Sequence, residues 1–204
     1  MTKPARPLRA DAARNRARVL EVAYQTFADE GLAVPIDEIA RRAGVGAGTV
    51  YRHFPTKEAL FEAIVLTRHE RMTAQARLLA GARDPGAAFF DFLAALVDEG
   101  RVKRDLADAL AAAGFDSSPA AARVGQEFRD AVAELLARAQ RAGAVRDGVG
   151  IADLMALLRG ISLAVRDAWE ADQPRRLLEI VCGGLRPPVS PPAGAARGTP
   201  ASAR

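Results

Sequence analysis

The 204-residue sequence predicts an all-α fold of about nine helices, in which an N-terminal three-helix unit with a helix-turn-helix precedes a larger helical domain. Three observations carry this expectation. Apolar residues recur at intervals of three and four along nearly the whole chain, and no run alternates with the period of two that a half-buried strand requires. Helix-starting residues punctuate the pattern, as in Asp84-Pro85 and Ser117-Ser118-Pro119. No unit recurs at the roughly 20–50-residue period of a solenoid.

Residues 1–10, with prolines at 4 and 7, are expected to form a flexible basic arm. A first helix is expected from Asp11 to Gly31, burying Leu20, Ala23, Tyr24 and Phe27. Ile36, Ile39, Ala40 and Ala43 then mark one apolar face, while Arg41 and Arg42 point elsewhere. Gly44-Val45-Gly46 breaks that pattern, glycine being free to take the positive φ of a tight turn. A second short helix fits between Ala47 and Phe54, since Pro55 disfavours helical geometry just before itself. Val50 and Phe54 anchor it inward, leaving Ala47, Gly48, Thr49, Tyr51, Arg52 and His53 largely open. Two helices joined in this way form a helix-turn-helix, whose second helix can enter the major groove of DNA.

At these residues the chain resembles the TetR family of bacterial transcriptional regulators. The resemblance runs from Asn15 to about Ile64 and rests on D-E-I-A-R-R-A-G-V and G-T-V-Y-R-H-F-P-T-K-E-A-L-F. It implies a homodimer that binds a palindromic operator in double-stranded DNA, most often as a repressor released by a small molecule. The DNA-facing set is then Arg41, Ala47, Gly48, Thr49, Tyr51, Arg52, His53 and Lys57. Tyr51, His53 and Lys57 are expected on phosphates. Arg52 is expected either on a guanine edge, whose two acceptors match its fork, or on a phosphate. Two departures stand out. Pro35 replaces a hydroxyl residue that commonly caps the helix and touches a phosphate, although proline can still open the helix at its first position, and Gly46-Ala47 replaces a commoner polar pair. Base reading therefore shifts onto Thr49, Arg52 and the backbone.

The DNA-binding unit is expected over residues 11–56, and a helical effector-binding and dimerisation domain over 57–185. Thr56 can cap a long fourth helix from Lys57 to about Ala80, which buries Phe61, Ile64, Val65 and Met72 and links the two units. Asp84-Pro85 opens a fifth helix, Val102 to Ala113 forms a sixth, and Ser117-Ser118-Pro119 opens a seventh that runs to about Ala142. A loop over 143–150 leads to an eighth helix, Ile151 to about Trp169. Asp172 and Pro174 cap the last, which ends near Leu185. The eighth helix is apolar on two sides. Ile151, Leu154, Leu158, Ile161 and Val165 follow the 3-4 spacing of a packed seam, and Leu157, Gly160 and Ala164 form a second face. The seam, with Leu178, Val181 and Leu185, is expected to pair with a second copy in a four-helix interface; the alternative is burial within one subunit. Aromatics of this domain either fill its core or line a pocket between helices, where Phe92, Leu110, Phe115, Phe128, Ala131 and Met155 are the effector candidates. The other reading of the resemblance is a regulator without a small-molecule effector, governed by a protein partner or by abundance.

Composition narrows the alternatives. The net charge of +4 is uneven: residues 1–20 carry +5, residues 186–204 carry +3, and the middle of the chain carries −4. A basic end beside a helix-turn-helix suits phosphate, though a solvated tail is equally compatible. The five prolines of residues 186–204 point to a disordered tail. No apolar run approaches the roughly 18 residues of a membrane span, and no secretory signal pattern opens the chain. The lone Cys182 excludes an internal disulfide and fits a reducing cytoplasm, as a small buried hydrophobe rather than a reactive thiol. With two histidines and no nucleophile elbow, P-loop or metal-ligand spacing, no enzyme activity, cofactor or metal is expected.

Overall fold

Each helix starts or stops at a local device that satisfies its free backbone groups, and the order of those devices gives the architecture. The computed structural model describes residues 6–112, 119–164 and 172–188. Eight helices occupy the described residues: α1 (Arg6–Glu30), α2 (Ile36–Ala43), α3 (Ala47–His53), α4 (Lys57–Leu79), α5 (Pro85–Ala112), α6 (Pro119–Arg141), α7 (Ile151–Ala164) and α8 (Gln173–Leu185). Thr56 caps α4, its Oγ1 accepting from the Ala59 N–H at 3.1 Å. Asp84 does the same for α5, with Oδ1 accepting from the Ala87 N–H at 2.9 Å.

Four local expectations change. The first helix begins at Arg6 rather than Asp11, because Pro7 lies in its first turn, where a missing N–H costs nothing. Residues 6–10 are thus helical, and 1–5 lie outside the described residues. The expected fifth and sixth helices are one, α5, continuous through Gly100. A single glycine weakens a helix by about 1 kcal/mol relative to alanine but does not end it. Pro35 is the N-cap of α2, not its first residue, and supplies no capping side chain. Asp172 precedes α8 with φ −96° and ψ −5°, and makes no capping bond. A capping carboxylate needs an extended backbone to fold back onto the first amides; Asp172 pairs instead with Arg176 at 2.5 Å.

Two apolar cores result. The first gathers Leu20, Ala23, Tyr24 and Phe27 of α1, the buried faces of α2 and α3, and Leu60, Phe61, Ile64 and Val65 of α4. The second gathers Met72 and Ala76 of α4 with α5, α6, α7 and α8 around Phe89, Phe92, Leu93, Val132 and Leu135. The change from one core to the other therefore falls within α4, between Val65 and Met72. That helix is the common spine. The loop after α6 is tied down as well: Gln140 Nε2 donates to the carbonyls of Arg146 and Val149, and the Arg146 N–H donates to the Leu185 carbonyl.

The two apolar faces of α7 are buried to different extents within the single chain. Leu154 is fully buried and Ile161, Leu178 and Leu185 nearly so, all inside the second core of a single chain. Ile151, Leu158 and Val181 are half-buried against that core, and Val165 lies outside the described residues. The 3-4 seam packs inward because α5, α6 and α8 already surround it. Leu157, Gly160 and Ala164 form the exposed face instead.

Candidate nucleic-acid interface

The turn that aims α3 is built by Gly44. At φ 66° and ψ 34° it sits in the left-handed region open to glycine. Its N–H donates to the Arg41 carbonyl at 3.2 Å, and the next N–H, of Val45, donates to the Ala40 carbonyl at 3.0 Å. This paired closure satisfies the last carbonyls of α2 while Val45 folds back onto the first core. Gly46, by contrast, has an ordinary φ of −67° and serves as N-cap of α3. Seven residues then suffice, because Val50 is completely buried and Phe54, just past the end, nearly so.

The outer side of α3 carries exposed Gly48, Tyr51 and Arg52, with Thr49 half-buried beside them. Ala47 is half-buried against the first core. Lys57 is half-buried at the start of α4, its ammonium 5.8 Å from the Phe27 ring centre and 5.9 Å from that of Phe61. Both rings lie within cation–π range of that ammonium. His53 is half-buried, and its Nε2 is buried without a hydrogen-bond partner.

Arg41 is exposed but engaged. It donates to both oxygens of Glu38, at 2.7 and 2.6 Å. Arg42 donates to Glu38 at 2.6 Å and pairs with Glu30 at the end of α1. The hydrogen bonds from Arg41 and Arg42 hold the Glu38 carboxyl at about 2, against an ordinary 4.5. The Arg42 hydrogen bond lowers Glu30 likewise. A carboxylate whose folded pKa is depressed stabilises the fold above its unfolded pKa, and loses that contribution as pH falls through the folded value. Denaturant midpoints are therefore expected to decline between about pH 4.5 and pH 2 in a limb that Glu38→Gln flattens. An unchanged acid limb in the variant counts against this network.

Sequence reasoning passed over Arg68 of α4. It is 7% exposed, lies 3.5 Å over the Tyr24 ring of α1, and donates to both carboxylate oxygens of Glu21 at 3.2 Å. The signal was present: an arginine occupies a position where the stripe of Phe61, Ile64, Val65 and Met72 calls for an apolar residue.

Of the effector candidates, Phe92 and Ala131 are buried in the second core. Phe128 and Met155 are half-buried against it, with the Phe92 and Phe128 rings 6.4 Å apart. The Leu110 side chain and the whole of Phe115 lie outside the described residues. A separate, open groove runs along α7 and α8, lined by Leu157, Gly160, Ala164, Leu177, Ile180 and Val181. Among the described residues no cluster of three or more His, Cys, Asp or Glu is placed to hold a metal ion, and no helix is long and apolar enough to cross a membrane.

A short exposed helix presented by a glycine turn, and mounted on a spine shared with a second helical core, defines a DNA-binding regulator of the helix-turn-helix class. Residues 19–64 match the family described as "Bacterial regulatory proteins, tetR family", and residues 84–187 match "Transcriptional regulator SbtR-like, C-terminal domain". A TetR transcription regulatory protein from Mycobacterium vanbaalenii is 50% identical, with a TM-score of 0.73 over 88% of this chain and 99% of that one. The regulator SCO0520 from Streptomyces coelicolor is 34% identical, with a TM-score of 0.72 over 85% and 99%. The HTH-type transcriptional regulator UidR of Escherichia coli is 27% identical across 81% of this chain and 86% of its own length. The chain belongs to the TetR family of bacterial transcriptional regulators.

Proposed function

We propose that the protein is a homodimeric repressor, released from a palindromic operator by a small, mainly hydrophobic effector. The observation that carries this reading is α4. Its first half lies in the core that mounts α3, and its second half lies in the core that holds Phe92, Phe128 and Met155. A ligand that alters packing around the second core moves the same rigid rod on which the recognition helix rides. Operator and effector affinities then change by the same coupling free energy, typically about 1–3 kcal/mol. The effector shifts the equilibrium only by its differential affinity for the two arrangements. An aromatic and aliphatic lining with few buried charges favours an apolar or aromatic ligand.

Dimerisation is assigned to the exposed face of α7 and α8. Leu157 and Ile180 are large apolar side chains 39% and 71% exposed, and Gly160 and Ala164 between them let a second backbone approach closely. Two-fold symmetry then sets two copies of α3 about one helical turn of DNA apart, roughly 34–36 Å.

DNA titration with point variants tests the reading. Arg52→Ala is expected to cost about 1–3 kcal/mol on the operator and to relax the preference at one base pair per half-site. Lys57→Ala is expected to weaken binding to every sequence alike and to lower the salt dependence by about one charge. Equal losses on operator and random DNA for Arg52→Ala move Arg52 to the phosphates. Absence of any DNA preference in the wild type removes the proposal.

A further inference from the structure

Among the described residues Arg68 is the only charged side chain that is buried. It sits where α4 passes from the first core to the second, one helical turn beyond Ile64 and one before Met72. Its guanidinium stacks on Tyr24 and bonds to both oxygens of Glu21, and both partners belong to α1. The next residue, His69, meets Phe128 of α6 edge-on at 6.1 Å. Adjacent residues of α4 thus grip α1 on one side and α6 on the other.

Apolar packing is non-directional and scales with buried area, so a wholly apolar stripe tolerates small rotations and slides of α1 along α4. A guanidinium whose Nη2 reaches both oxygens of a carboxylate while its plane covers a ring is satisfied at one setting. Settings that leave the buried guanidinium without its partners are disfavoured. We infer that Arg68 is a positioning residue for DNA binding: with Glu21 and Tyr24 it fixes the angle at which α1, and the helix-turn-helix packed on it, sits on α4. In a two-fold dimer that angle sets the separation of the two recognition helices. The inference rests on the proposed dimeric reading of a palindrome.

The test uses the full chain, a palindrome selected by the wild-type protein, the same palindrome with one base pair added or removed at its centre, and a duplex carrying one half-site. Arg68→Met keeps an unbranched apolar stem and removes the guanidinium, with its charge and its hydrogen bonds. Half-site affinity is expected to stay at the wild-type value, while affinity for the native palindrome falls about tenfold. The preference for native spacing over the altered spacings flattens at the same time. Arg68→Lys restores part of that preference, since it keeps the charge but not the planar guanidinium that covers Tyr24. Glu21→Gln, changed at the exposed end of the pair, shifts binding in the same direction and serves as the test where Arg68→Met does not fold. Folded variants that retain the wild-type spacing preference overturn the inference. So does an equal loss on half-site and palindrome, which marks a merely structural role. A wild-type protein that selects no palindrome overturns the dimeric reading and the inference with it, whereas a selected palindrome with unchanged spacing preference in the variants overturns the inference alone.

Discussion

Leu157→Glu is expected to convert the dimer to folded monomers and to lower operator affinity by about 100-fold or more. The loss is large because a palindrome is held by two recognition helices at once, and linking two such contacts adds about 10²–10⁴ to affinity. Leu157 is 39% exposed in the single chain and lines the open groove with Ile180, so a carboxylate there leaves the second core untouched. In a two-fold interface the same change appears twice, burying two like charges without partners. Leu154→Glu, three residues away, separates this from a folding effect. Leu154 is completely buried, and a carboxylate there is expected to unfold the second core rather than split the dimer. Sedimentation and circular dichroism on both variants decide the matter. A Leu157→Glu protein that stays dimeric places the interface elsewhere, and a well-folded monomeric Leu154→Glu protein restores the seam first expected from spacing.

Phe92→Ala is expected to destabilise the protein by about 3–5 kcal/mol, the usual cost of deleting a buried aromatic ring and leaving a cavity. At this chain length that corresponds to a fall in melting temperature of roughly 6–20 °C. Phe92 is fully buried in the second core, close to Phe128 of α6, and α6 packs against α4. The cavity therefore opens beside the spine that carries the recognition helix. Phe92→Leu fills much of the volume and is expected to recover most of the stability. Effector titration adds a second readout. If the ring also borders the effector site, Phe92→Leu keeps operator binding while changing the concentration of ligand needed for release. A Phe92→Ala protein that melts within about 2 °C of wild type shows that the ring does not pack the core.

The legible parts of the sequence were those governed by neighbours in the chain. The Gly44 turn, the Thr56 and Asp84 caps and the boundaries of α2 and α3 follow from backbone geometry and hydrogen bonds spanning a few residues. The exposed set on α3 follows as well, because a seven-residue helix with one buried valine has only one way to face inward. Ala47 and His53 are exceptions: spacing put both on the open side, yet Ala47 is half-buried against the first core and the His53 Nε2 is buried. The separate helix expected from Val102 to Ala113 is instead the continuation of α5, since a single glycine at 100 weakens a helix without ending it.

By itself the sequence determined the all-helical class, the helix-turn-helix with Gly48, Tyr51 and Arg52 outward, and the existence of two apolar faces on α7. Only the tertiary structure decided which of those faces is core. Periodicity shows that a face is apolar, but burial depends on α5, α6 and α8, which reach α7 from distant points in the chain. The same holds for Arg68. Its place in the stripe is written in the sequence, whereas Glu21, which meets its charge, comes from 47 residues earlier. Capping and turn formation are local free energies; the pairing of surfaces is a property of the folded whole.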